Sequence, residues 1–212
     1  MLSPAGVFAI LTLLVVGFLL SKRTDARALM AGGLVVLAAG NYWMSQLNLD
    51  VSPWQVVWPR VVIIVGLSMI FAPLNVAAFL YIPRELRGAA VGLLALLRNE
   101  GGSVGTSVAQ TILERRVQFH TLRLNEWLDV LNPALNDAFR QGQELFRYHT
   151  GDPRASVSMA LQLLESARAR QALSLAYFDV FWVSAAISVF LVGLVFLMHR
   201  SVPEQGAHLA AD

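Results

Sequence analysis

The chain has 212 residues, of which 56% are hydrophobic and only 14% charged, with a mean hydropathy of +0.58. A soluble domain carries about 25% charged residues, so the depletion points to a membrane protein. The formal net charge is +2, a single lysine accompanies the arginines and no basic run exists, which argues against nucleic acid as a partner; the absence of cysteine excludes disulfides and thiolate metal sites.

In chain order, five apolar stretches are predicted to span a bilayer, whose hydrocarbon core of about 30 Å needs roughly 20 helical residues. The first covers residues 4–20. It follows Met1 without the positive flank and small-residue cleavage site of a signal peptide, and is expected to be a membrane helix that lacks an upstream partner. A short basic connector, 21–27, holds Lys22, Arg23 and Arg27. The second span covers 28–47. The connector after it holds Trp54 and Trp58, residues that suit the membrane–water interface. The third covers 59–81 and contains Pro73, which removes a backbone donor. A connector with Arg84 and Arg87 leads to the fourth span, 88–113, and the fifth covers 173–198.

The fourth span carries Arg98, Asn99 and Glu100 near its middle. Charge at that depth costs several kcal/mol unless it faces protein, water or a counter-charge. Gly92, Ala95, Asn99, Gly102, Ser103 and Thr106 recur at three- and four-residue steps, and with Gly101 and Gly105 they would let a neighbouring helix approach closely. Arg98 and Glu100 lie about 200° apart around a helix and cannot pair with each other. The span is expected to be an inner helix of a bundle, with its polar face turned to a cavity or a partner helix. Asp179, some six residues into the last span, is a further candidate for proton coupling.

Residues 114–172 interleave eight arginines with seven acids. Val117, Leu124, Leu128 and Leu131 are spaced as one helical face, and Asp152–Pro153 is a good N-cap and first-turn pair. This segment is predicted to be an amphipathic helical segment outside the membrane. With five crossings, Lys22, Arg23, Arg27, Arg84, Arg87 and Arg200 share one side, which the positive-inside rule makes cytoplasmic; the N-terminus and residues 114–172 then face out, and 199–212 form a cytoplasmic tail.

The run Leu97-Arg98-Asn99-Glu100-Gly101-Gly102-Ser103-Val104-Gly105 resembles the LRNxGGSxG signature of the fourteen-helix drug:proton antiporters of the major facilitator superfamily, the EmrB/QacA type. Gly17 through Arg27 is similar to a worn GxLxDRxGRR loop; Pro59-Arg60, Gly66, Phe71 and Pro73-Leu74 fit another helix of that family, Arg115-Arg116, Gln118 and His120 its RRxQxH pattern, and Ala176-Tyr177, Asp179 and Phe181 its last helix. Ser21 stands where the loop motif has its Asp, and Ile63 and Ile64 where the family often has Gln-Gly.

The resemblance implies the last five helices of a proton-coupled multidrug exporter. Its partners would be the lipid bilayer, amphipathic drug-like molecules and protons, the remaining transporter helices, and a periplasmic adaptor with an outer-membrane channel. The implied location is the inner (plasma) membrane. The chain alone is not expected to transport; the alternative is a non-transporting membrane scaffold or regulatory subunit derived from such a transporter. No cofactor is implied. His120 and His149 have no ligand-spaced partner, so no metal site is expected. Gly101-Gly102-Ser103-Val104-Gly105 matches the G-x-S-x-G of serine hydrolases, but that motif needs a sharp strand-to-helix turn, whereas the flanks here are helical and apolar. No P-loop or GxGxxG is present, and the chain is not expected to be an enzyme.

Overall fold

The computed structural model describes residues 4–22, 24–48, 52–79, 82–126 and 133–197. They form six α-helices and no strand: α1 (Pro4–Ser21), α2 (Ala26–Ser45), α3 (Pro53–Phe79), α4 (Arg87–Glu126), α5 (Pro133–Thr150) and α6 (Pro153–Leu197), with a 3-10 turn at Arg84–Leu86 before α4. The expected all-α membrane helix bundle is the fold observed. Arg23 and the tail expected at 199–212 lie outside the described residues, as do Leu128 and Leu131.

Three of the helices, α2, α3 and α6, are long and apolar enough to cross a membrane. Helix α1 is apolar throughout but only 18 residues long, about 27 Å. Helix α4 falls short in apolarity because Arg98, Asn99 and Glu100 interrupt its hydrocarbon-compatible run. The chain has no helix break at residue 113 or 172: α4 continues to Glu126, and α6 starts at Pro153 and runs unbroken to Leu197. Similarly, α3 begins at Pro53, so that Trp54 and Trp58 occupy its first two turns.

The chain divides into two units. One comprises residues up to 106 together with those from 181 onward, and the other residues 107–180. In the first, α3 packs against α1 and α2. The α2–α3 contact is built on glycine. A Cβ added at Gly66 would lie 2.6 Å from the Leu37 backbone nitrogen and 2.9 Å from the Gly33 carbonyl oxygen. A Cβ at Gly40 would meet Ile63 Cγ1 at 2.8 Å and the Ile63 nitrogen at 2.9 Å. Without side chains in the way, the two backbones gain dispersion contacts that lipid cannot supply. Ile63 fills the notch at Gly40. Pro59 and Pro73, both inside α3, are fully buried.

Outward, the same unit presents apolar side chains in bulk: Ile10 is 63% exposed, Leu14 67%, Val189 62% and Phe190 68%. A contiguous apolar surface of this kind needs a non-aqueous surrounding or a protein partner. Asp25 caps α2 by accepting from the Arg27 N–H at 3.1 Å.

In the second unit, α5 is amphipathic and meets α6 at Gly142. An added Cβ at Gly142 would lie 3.5 Å from Ala160 Cβ, an ordinary contact distance, and Ala160, Ala172 and Ala176 are buried. The expected Asp152–Pro153 start is present: Asp152 Oδ1 accepts from the Arg154 N–H at 2.9 Å, with Pro153 in the first turn. Gly151 just before it has φ +69°, the left-handed conformation that ends α5.

Replacement of Gly66 by alanine is expected to lower stability in detergent by about 1–3 kcal/mol, since backbone on both sides cannot yield. The same change at Gly92, where an added Cβ meets nothing within 4 Å, should leave the thermal midpoint unchanged or slightly raised. Melting curves of the two variants followed by circular dichroism test the contrast.

Candidate functional site

Arg98 is anchored to α3. Its Nη2 donates to Asn75 Oδ1 at 3.5 Å, and its guanidinium carbon lies 4.5 Å from the centre of the Phe71 ring. Phe71 and Asn75 are one turn apart on α3, so both reach the same neighbour. Asn75 Nδ2 donates to the Phe71 carbonyl at 2.7 Å, which leaves its Oδ1 for the guanidinium. A planar cation stacked on a ring and bound to an amide keeps its charge without a carboxylate.

The rest of the polar face is open. Asn99 and Glu100 are exposed and have no hydrogen-bond partner among the described residues. No residue of α4 is buried. Gly92, Gly101, Gly102 and Gly105 have nothing within 4 Å of an added Cβ, so the observed close packing lies at Gly33, Gly40 and Gly66 instead. Ser103 lies inside continuous helix, without the strand-to-helix turn of a nucleophile elbow. Its carbonyl and that of Gly102 both accept from Thr106 Oγ1 at 2.9 Å.

At the connector motif, Gly17 is inside α1 and contacts nothing through an added Cβ. Lys22 Nζ lies 4.4 Å from the Phe18 ring centre. Arg27 donates to the Phe196 carbonyl and lies 5.2 Å from that ring, so a cation sits at the negative end of α6. An apolar recess of about 340 Å3 lies between α2 and α6, lined by Ala38, Ala39, Tyr42, Trp182, Ala185 and Val189. Its volume is at the lower end of the range of small-molecule pockets, roughly 300–1,000 Å3.

Asp179 lies in the second unit and is not alone. Its Oδ2 is 2.6 Å from His120 Nε2 and 3.4 Å from Arg116 Nε. Arg116 and His120 are four residues apart on α4, and Asp179 meets them from α6. The Phe119 ring stands edge-on to the imidazole at 5.4 Å. One carboxylate thus joins two helices through two basic side chains. His120 belongs to the RRxQxH pattern of the sequence, and its four-residue spacing from Arg116 is the signal there that the two share a helix face. Among the described residues no group of three or more His, Asp or Glu could hold a metal ion.

Several curated proteins resemble this chain over most of its length. The multidrug export protein EmrB of Escherichia coli K12 is 26% identical over 196 residues, covering 91% of this chain and 36% of that protein. The fatty acid resistance protein FarB of Neisseria gonorrhoeae is 23% identical over 195 residues, 92% of this chain and 37% of that protein. The uncharacterized MFS-type transporter YhcA of Bacillus subtilis 168 is 25% identical over 135 residues, 64% of this chain. The chain is thus similar to multidrug export proteins and to an MFS-type transporter. No family model and no solved structure matches. The chain spans just over a third of the length of the EmrB and FarB relatives. Its apolar helices are those of a membrane protein, and the curated proteins it resembles include exporters and transporters.

The Arg116–His120–Asp179 cluster predicts coupled stability effects. In a double-mutant cycle of His120→Ala and Asp179→Ala, unfolding in detergent should show a coupling of about 1 kcal/mol, modest because the carboxylate is partly solvated. Purely additive effects would contradict the contact.

Proposed function

We propose that the chain works as part of a proton-coupled multidrug efflux transporter, exchanging drug for protons by alternating access. It would lie as a multi-pass protein in the inner (plasma) membrane, with residues 114–172 outside, and it would be no enzyme. Transporters of this architecture hold substrate near the bilayer midplane between two repeats. The α4 face carrying Arg98, Asn99 and Glu100 would line or brace that cavity, and Asp179 with His120 would take part in proton exchange. The four glycines from Gly92 to Gly105 would accept helices supplied by the rest of the transporter. A periplasmic adaptor and an outer-membrane channel would dock through residues 114–172.

The observation that carries this reading is the ionic patch at mid-helix in α4. Only Arg98 is fastened, to Asn75 and Phe71, while Asn99 and Glu100 remain exposed on a helix with no buried residue. Ionic groups at membrane depth face protein or water. The relatives supply the rest of the argument: exporters almost three times as long match this chain along nine-tenths of its length.

The chain alone, produced in a pump-deficient host, is expected to leave susceptibility to amphipathic drugs unchanged, because one incomplete bundle cannot alternate access. Growth-inhibition assays with and without expression measure this. Clear resistance from the chain by itself would overturn the proposal and assign transport to these helices alone.

A further inference from the structure

We draw no further inference here: the strongest candidate, the apolar recess between α2 and α6 lined by Ala38, Tyr42, Trp182 and Val189, carries none because nothing in the structure shows what covers it.

Discussion

Charge placed in hydrocarbon must find protein, water or an opposite charge, and in the function proposed above this constraint governs α4. A helix that crosses a bilayer can carry Arg98, Asn99 and Glu100 only if its surroundings are partly polar. The structure supplies one such neighbour. Asn75 and Phe71 receive the guanidinium from a helix that is itself apolar and interrupted by Pro73. The remaining polar groups of the face have no such neighbour among the described residues, and on that asymmetry rests the proposal that α4 belongs to a larger bundle with a wet interior.

Apolar packing obeys a different rule. Lipid tails satisfy leucine as well as another helix does, so burial alone cannot hold α2 against α3. Close backbone approach can, and Gly33, Gly40 and Gly66 permit it. Large apolar side chains on α1 and α6 are left facing outward. The α2–α3 contact is thus made at the smallest residues while large apolar side chains of the same unit face outward, the reverse of a soluble core.

Much of the fold could be read from the sequence because membrane helices announce themselves by length and apolarity. The Asp152–Pro153 start of α6 agrees with expectation. Boundaries where helix outruns apolarity were not visible: α4 passes through Glu114, Arg115 and Arg116 without a break, since helical hydrogen bonding needs no hydrocarbon. Nor could composition tell which glycines pack. The run at residues 101–105 has the small-residue spacing, yet Gly66, which stands alone in its helix, makes the tightest contact. Asp179 was visible as an unusual acid, but its partner His120 lies 59 positions away in sequence and becomes a neighbour only through the fold.

The account rests on the polar face of α4 meeting water or protein and not lipid. The chain has no native cysteine, so single-cysteine variants along residues 92–106 give a clean background for labelling with a membrane-impermeant thiol reagent. Labelling of membrane-embedded protein should rise and fall with helical period, strong at Asn99, Gly102, Ser103 and Thr106 and weak at Leu93, Leu96 and Leu97. Uniform protection at all positions, with labelling only by lipid-soluble reagents, would contradict it.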